Sequence, residues 1–359
     1  MTRKRRSGDE TARTRSAGHK PASIHDVAER AGVSIKTVSR VLNREPNVSD
    51  STREKVQQAV AALSYRPNLF ARSLASERSF LIGLLFDNPS AAYIAGVQLG
   101  ALARCREAGF HLIVEVLDSR DPGVDQAVMA LVAESALHGV ILTPPLCDSL
   151  PILEALTRAR VPFVRMAPAH SMPGMAEVFI DDRQAAFEMT SHLISQGHRR
   201  IGFIKGHPDH ASADLRFEGH RAALSEAGIA YDDTLVAQGQ YDFQSGLDAA
   251  ERLLALTPRP TAIFACNDDM AAGVLAAAQQ LNIKAPSELS VAGFDDSLPA
   301  QIVRPRLTTV RQPVAEMAAA AVAMLVVRTP AQAPTAQQLA HELLVRDSTA
   351  PPRPARMLG

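Results

Sequence analysis

Between residues 79 and 345, short apolar segments alternate with stretches of helical character, and this alternation restricts the possible fold most strongly. Segments such as FLIGLLF (80–86) and TAIFACN (261–267) have the length and composition of buried strands. Helical stretches of about ten residues or more separate them, which favours parallel sheets with helices on both faces. A second series of strands starts at IGFIKG (201–206). We therefore predict an α/β core with two Rossmann-like lobes.

Polar side chains follow many of the predicted strands. Ligands of open α/β sheets bind at the carboxyl ends of the strands, so the cleft between two facing lobes is the predicted binding site. Carboxylates and amides bond sugar hydroxyls, and an aromatic ring covers the C–H face of a sugar. The candidate effector-binding residues are Asn88, Tyr93, Thr143, Asp181, Arg216, Tyr241, Asn267 and Asp295. Phe243 is the alternative aromatic group, and Asp268 has an alternative role as a helix cap.

The segment ASIHDVAERAGVSIKTVSRVLN (22–43) precedes this core and has the pattern of two short helices joined by a tight turn. Ser23 and Asp26 match a capping box at the first helix. Gly32 supplies the turn, and Ser34 caps the second helix. A further capping-box pattern, S-T-R-E at 51–54, predicts a third helix that closes a small core.

The second of these helices has the side chains of a DNA-reading helix. Its first turn combines a small hydroxyl, a cation and an apolar side chain, which suit guanine acceptors and thymine methyl groups in the major groove. An ordinary helical hairpin is the alternative interpretation. The candidate DNA-contacting residues are Ser34, Ile35, Lys36, Thr37, Ser39, Arg40 and Asn43.

The run from Ser23 to Ser76 resembles the headpiece and hinge of the lactose/galactose-repressor (LacI/GalR) family of bacterial transcription regulators. The matching elements are IHDVAERAGVS, TVSRVLN, the TREKV helix start and the YRPN..AR.L hinge, in register without a gap. The resemblance continues through the core, where it implies a periplasmic-binding-protein-like fold. It implies three crossings between the lobes, with the strand near Thr308 to Pro313 returning to the first lobe.

The resemblance also implies roles for individual residues. Asn68, Arg72 and Leu74 match a hinge helix that folds on operator DNA, in which Leu74 enters the minor groove and Arg72 contacts phosphate or the groove edge. A packed linker leucine is the alternative for Leu74. In the core it implies effector contacts for Asn267, Asp295, Arg216 and Tyr241, and it adds Gln312 at the lobe crossover.

These features predict a sequence-specific repressor of carbohydrate genes. Its expected partners are a pseudo-palindromic operator, a second copy of the chain and a mono- or disaccharide effector that releases the DNA. A purine or other non-sugar co-repressor is the alternative effector. A sugar-binding transport component is disfavoured by the headpiece and by the lack of a signal peptide. An α/β enzyme is disfavoured because no catalytic constellation is visible.

Charge and cysteine usage agree with this interpretation. Residues 1–78 contain 16 Lys and Arg against 8 Asp and Glu, whereas the chain as a whole is neutral, so the phosphate-binding surface is expected at one end. Three unpaired cysteines and no membrane-spanning run predict a cytoplasmic protein without membrane contact. No cofactor or metal is expected, and the loop at 207–210, although it has two His, is interpreted as solvated. The lack of a leucine heptad after the core predicts a dimer.

The predicted organisation has five parts, and the core has two lobes. The parts are a disordered basic tail at 1–21, a helix-turn-helix domain at 22–65, a hinge helix and linker at 66–78, the core at 79–348 (lobe 1 about 79–180 and 309–338, lobe 2 about 181–308 and 339–348) and a tail at 349–359.

Overall fold

The computed structural model describes residues 22–42, 47–65, 79–326 and 336–353. They belong to two compact units, which meet along the chain between Arg78 and Ser79. We refer to residues 22–65 as the headpiece and to the second unit as the core. In the described part of the chain, no helix has the length and apolar character required to cross a membrane.

The headpiece contains three helices, α1 (Ile24–Ala31), α2 (Ile35–Leu42) and α3 (Asp50–Ala62). The predicted capping box is present, since the hydroxyl of Ser23 accepts from the backbone N–H of Asp26 and the carboxylate of Asp26 accepts from the backbone N–H of Ser23. Gly32 ends α1 with a φ of +65°, a left-handed conformation that glycine adopts without strain. The apolar faces of the helices meet in a small buried cluster of Val27, Ala28, Val38, Val41, Val56 and Ala59.

The third helix begins earlier than the S-T-R-E pattern predicts. Its N-cap is Ser49, whose hydroxyl accepts from the backbone N–H of Thr52. Ser51 lies inside the first turn and is exposed. The prediction of Ser51 as the cap was wrong because two serines stand two positions apart, and both fit the local capping preference.

The core alternates strands and helices along nearly its whole length. In chain order the elements are β1 (Leu81–Phe86), α4 (Ala91–Ala108), β2 (His111–Val116), α5 (Val124–Ser135), β3 (Gly139–Leu142), α6 (Leu150–Arg158), β4 (Phe163–Met166), β5 (Ala176–Phe179), α7 (Asp182–Ser195), β6 (Ile201–Lys205), α8 (Ala211–Glu226), β7 (Val236–Gln238), α9 (Phe243–Leu254), β8 (Ala262–Ala265), α10 (Asp268–Gln280), β9 (Ser290–Ala292), α11 (Leu298–Ile302), β10 (Thr309–Arg311), α12 (Val314–Val326), β11 (Ala336–Gln338) and β12 (Glu342–Leu344). Short 3-10 helices lie at Leu146–Asp148 and Asp233–Leu235.

Two parallel sheets organise the core, as the alternation predicts. The first has the order β11-β5-β4-β3-β1-β2, and the second has the order β7-β6-β8-β9. Helices cover both faces of the first sheet, so alternate residues of β1 are buried in different clusters: Ile82 and Leu84 in one, Leu85 in the other. On one face α4 and α12 approach closely, and a Cβ at Gly100 would lie 2.0 Å from the carbonyl oxygen of Ala315. The two-lobed α/β fold is therefore confirmed.

The strand near Thr308 to Pro313 does not return to the first lobe, as the resemblance had implied, but stays beside the second sheet. β10 pairs antiparallel with β12, and isolated bridges join Thr308 to Ala292 and Arg311 to Asp295. This backbone satisfies its hydrogen bonds beside the second sheet. The chain re-enters the first lobe only with α12, which packs against α4, β4 and β5. β11 then completes the edge of the first sheet.

Candidate functional site

The headpiece exposes most of the predicted DNA-reading residues on α2. Ser34, Ile35, Lys36 and Arg40 are exposed, whereas Thr37 and Ser39 are half-buried. The hydroxyl of Ser34 accepts from the backbone N–H of Thr37 at 3.1 Å and therefore caps the helix. The predicted residues Asn43, Asn68, Arg72 and Leu74 lie outside the described residues.

A polar cavity lies between the lobes of the core, at the carboxyl ends of strands from both sheets. Its residues follow β1, β3 and β4 in the first lobe and β6, β7, β8 and β9 in the second. This is the edge at which open α/β sheets bind ligands. The lining residues are Asn88, Ser90, Tyr93, Pro144, Ala167, His210, Ser212, Arg216, Tyr241, Asn267, Asp295 and Gln312.

The cavity has little room in this arrangement of the lobes. Its free volume is about 30 Å³, which is enough for only one or two water molecules. A sugar ring is several times larger than a water molecule, so a ligand of this size requires the lobes or the lining side chains to move apart.

Seven of the nine predicted effector-binding residues line this cavity, and Thr143 and Asp181 do not. Thr143 is fully buried, and its hydroxyl donates to the carbonyl of Leu85, while the next residue, Pro144, reaches the cavity. Asp181 is exposed and caps α7 by accepting from the backbone N–H of Gln184 at 2.8 Å. These two residues therefore lie outside the lining of the cavity in this arrangement of the lobes.

Asp182, which the sequence analysis did not select, takes the buried position beside the cavity. Its carboxylate accepts from Nε of Arg216 at 2.7 Å, and each side chain is 5% exposed. The guanidinium of Arg216 also donates to the carbonyl of Cys266 and lies 3.6 Å from the ring centroid of Phe294. The carboxylate of Asp295 is 3.9 Å from the same guanidinium. Arg216 therefore lies among fixed partners on three sides.

Asp295 combines an unusual backbone with a buried carboxylate. Its φ is +114°, in a region that favours glycine, and such strain is concentrated at functional sites. Its carboxylate accepts from Nε2 of Gln312 at 2.6 Å. Burial raises the pKa of Asp295 to about 7, although Arg216 and the hydrogen bond from Gln312 act in the opposite direction. The side chain can therefore exist in both protonation states near neutral pH.

Asn267 fixes the geometry at the end of β8. Its side-chain oxygen accepts from the backbone N–H of Met270 at 3.0 Å and caps α10, a role that the sequence analysis allowed for Asp268. Its amide nitrogen donates to the carbonyl of Tyr241 at 2.9 Å, where φ is +64°. The buried carboxylate of Asp268 instead accepts from the hydroxyl of Thr309 at 2.7 Å.

Five cavity residues were not among the predicted binding residues: Ser90, Pro144, Ala167, His210 and Ser212. The loop at 207–210 was predicted to be solvated, but His210 is only 3% exposed and lines the cavity, so the prediction was wrong for this residue. All five follow predicted strands, so the strand-end rule that found the others applied to them as well. Ser212 and Tyr241 approach within hydrogen-bonding distance, with 3.2 Å between their oxygens. Burial and the neighbouring His207 lower the pKa of His210 to about 4, so its imidazole is neutral at neutral pH.

Several hydrogen bonds cross between the lobes. The hydroxyl of Ser90 donates to the carboxylate of Asp269 at 2.8 Å. At the mouth of the cavity, Arg120 of the first lobe donates to Asp209 at 3.3 Å and lies 3.0 Å from Nε2 of His207. These contacts hold the lobes together and must change when the cavity opens.

Comparison with known proteins identifies both parts of the chain. Residues 23–68 match the family described as "Bacterial regulatory proteins, lacI family", and residues 190–349 match the "Periplasmic binding protein-like domain". The HTH-type transcriptional regulator GalR of Escherichia coli (strain K12) is 36% identical over 298 residues, which cover 83% of this chain and 86% of GalR.

Solved structures agree with these sequence matches. A lac repressor dimer bound to operator and the anti-inducer ONPF has a TM-score of 0.76 and 29% identity, and the match covers 92% of this chain and all of that one. A complex of the transcriptional regulator CelR with cellobiose has a TM-score of 0.69 and 31% identity, over 91% of this chain and 99% of CelR. The chain therefore belongs to the lacI family of bacterial regulatory proteins, and it is a DNA-binding regulator of transcription.

Proposed function

We propose that this regulator is a repressor that binds a pseudo-palindromic operator as a dimer and releases it when a small sugar occupies the cavity between the lobes. The observation that carries the proposal is a buried ring of hydrogen-bonding side chains between two lobes, in a chain that also has a DNA-reading headpiece. Such a regulator acts in the cytoplasm, where the chromosome is.

Recognition of the operator is assigned to the exposed side chains of α2. Lys36 and Arg40 donate to guanine acceptors, and Ile35, which is 39% exposed, contacts a thymine methyl. Asn68, Arg72 and Leu74 are assigned to the hinge in the minor groove. The lac repressor relative is described as a dimer bound to operator, which supports the same arrangement here.

Dimerisation is supported by exposed apolar side chains on both lobes. The first lobe exposes Leu99, Val114 and Val116, and the second exposes Phe243, Leu281, Leu298 and Ile302. These exposed apolar side chains are available to pack against a second copy of the chain. In a two-fold dimer, two headpieces face two half-sites of one operator.

The effector is assigned to the cavity, with contacts from Asn88, Tyr93, Arg216, Tyr241, Asn267, Asp295 and Gln312. Tyr241 packs its ring against Gly206, where a Cβ would lie 2.1 Å from Cζ of the tyrosine, and it offers a face for sugar C–H groups. CelR, a relative of known structure, is described in complex with cellobiose. A ligand shifts DNA occupancy only by its different affinity for the two lobe arrangements, and about 5.5 kcal/mol changes the ratio from 1:99 to 99:1.

The test begins with the purified chain and sheared genomic DNA from its source. We expect the bound fragments to share one palindrome, and we expect Lys36→Ala to weaken binding to it by about 10- to 100-fold. Neutral sugars and purine bases are then added to the complex. Release by a sugar supports the proposal, whereas tighter binding with a purine base replaces it by co-repression. Fragments without a common site contradict the operator assignment.

A further inference from the structure

We infer that the cavity selects an uncharged effector and discriminates against sugar phosphates and sugar acids, because its one cationic lining side chain is already matched by buried carboxylates. This inference rests on the proposed function, in that it concerns the small molecule assigned to the cavity. It specifies the class of that molecule by its charge.

The first observation is the state of Arg216. Among the described residues that line the cavity, Arg216 is the only Arg or Lys. Its guanidinium already bonds Asp182 at 2.7 Å and lies 3.9 Å from Asp295. An anionic group of a ligand would compete with these carboxylates instead of meeting an unmatched charge.

The second observation is an excess of acidic groups around that single cation. Asp295 lines the cavity, Asp182 bonds Arg216, and Asp269 accepts from Ser90, another lining residue. Burial raises the pKa of these three carboxyl groups and of Asp268, which neighbours Asp295. Repulsion from Asp295 also raises the pKa of Asp268, and repulsion from Asp269 and Asp182 raises the pKa of Asp295. A further negative charge in this space would meet the same repulsion and would lose its hydration.

The third observation excludes a second cation at neutral pH. His210 lines the cavity, but its lowered pKa, about 4, leaves the imidazole uncharged. A groove at the mouth shares Asn88 and His210 with the cavity. It is lined by Asp87, Asp118 and Asp242, and its one Arg, Arg120, bonds Asp209.

A neutral hydroxyl compound meets none of these penalties. Its hydroxyls can donate to carboxylates such as Asp295 as well as accept, so its binding does not depend on free donors in the cavity. An anionic analogue has only acceptors at its charged group and needs donors that are already engaged. We expect its affinity to be on the order of 100-fold weaker than that of the neutral parent compound.

The experiment measures binding of matched compounds to the full chain by calorimetry, together with release of operator DNA. The sets are D-glucose with its 6-phosphate and D-glucuronate, D-ribose with its 5-phosphate, cellobiose with cellobiose 6′-phosphate, and inosine with inosine 5′-monophosphate. The inference predicts that, in any set that binds, the neutral member binds about 100-fold more tightly than the anionic members.

Two variants test the cause at adjacent positions. Asp182→Asn removes the carboxylate that neutralises Arg216, so the anionic members should gain about tenfold relative to the neutral one. Asp181→Asn makes the same chemical change at the exposed helix cap and should leave the ratio unchanged. If Asp182→Asn does not fold, Asp269→Asn, which removes another carboxylate behind the cavity, serves in its place.

The outcomes separate the two proposals. Equal or tighter binding of an anionic member to the unmodified chain overturns the charge inference but leaves ligand control of DNA binding intact. A ratio that Asp182→Asn and Asp181→Asn change equally also overturns it, because the cause would not be the neutralised Arg216. If no compound binds or releases DNA, both the inference and the proposed sugar effector are wrong.

Discussion

The headpiece and the core place their functional residues along the chain in opposite ways. In the headpiece, the residues from Ser34 to Arg40 share one short helix, and six buried side chains support it. In the core, the cavity collects residues from Asn88 to Gln312, and two large clusters support them. The functional surface of the headpiece is therefore specified by local sequence, but its hydrophobic interior is small and gives the headpiece little reserve of stability. The core has ample packing, but its site depends on distant segments.

The largest effect is expected where this reserve is smallest. Val38 is fully buried in the headpiece cluster, so Val38→Asp places a carboxylate among apolar side chains with no partner. Several kcal/mol of destabilisation should exceed the stability of such a small domain. We expect specific DNA binding, measured by fluorescence anisotropy, to weaken by at least about 100-fold.

The same variant should leave the core intact. Ligand binding and the thermal transition of the core, followed by calorimetry, are the controls. Loss of both together with DNA binding would show that the two regions are not independent in stability, and the comparison would then fail.

A second prediction compares two buried arginines of the core, one that lines the cavity and one that does not. Arg216 and Arg165 are both buried, and each contacts two carboxylates. The partners of Arg216 are Asp182 and Asp295. The partners of Arg165 are Asp148 and Glu177. Replacing either by Met leaves buried carboxylates without their cation and should destabilise the core by about 3–5 kcal/mol in urea unfolding.

Only one of these two variants should change the response of DNA binding to the effector. Arg216 lines the cavity, whereas Arg165 bonds the carbonyls of Cys147 and His170 away from it. Arg216→Met should therefore abolish ligand release of DNA, while Arg165→Met retains it at temperatures where the core is folded. Equal loss of the response in both variants would mean that the site depends on overall stability alone.

A third prediction concerns pH and Asp295. Its pKa of about 7 in the folded core lies above the value of about 4 in an unfolded chain. The folded state therefore binds more protons, and the contribution of Asp295 to stability is present below about pH 4 and is lost as the pH rises towards 7. Asp295→Asn is expected to be more stable than the unmodified chain at pH 8, with the difference decreasing towards pH 5.

Buried histidines have the opposite dependence. The lowered pKa values of His210, about 4, and His220, about 3, favour the folded state at higher pH. The histidines contribute equally to the unmodified chain and to the Asp295→Asn variant. The difference between the urea unfolding midpoints of these two proteins therefore reports the effect of Asp295 alone. A difference that is constant from pH 5 to pH 8 would contradict the raised pKa.

How well the sequence predicts a feature of these two regions depends on how far apart along the chain the interacting residues lie. Capping by Ser23 and the turn at Gly32 depend on neighbours within four residues, and both are present as predicted. The strand ends also place Asn267 and Asp295 at the cavity. The choice between Asp181 and Asp182 could not be made, because it depends on where Arg216, more than thirty residues away, lies.

The same limit explains the strand β10. Its short sequence, Thr-Val-Arg, does not distinguish between the lobes. Its position is decided by backbone hydrogen bonds from Gly293 and Asp295 to Thr308 and Val310. Such long-range pairing has no local sequence signal. Local features were predicted correctly at Ser23 and Gly32 but not at Ser51, where two nearby serines both fit the cap. The alignment of distant segments could not be predicted.

The smallest predicted effect tests the local end of this comparison, at the start of α3. Ser49 accepts from the backbone N–H of Thr52, whereas Ser51 lies within the first turn and is exposed. Ser49→Ala should destabilise the headpiece by about 1 kcal/mol through loss of the cap, and Ser51→Ala should have little effect. The measurement is urea unfolding of the headpiece followed by circular dichroism. A larger loss of stability from Ser51→Ala than from Ser49→Ala would contradict this assignment. It would mean that Ser51 caps the helix, as the S-T-R-E pattern predicts.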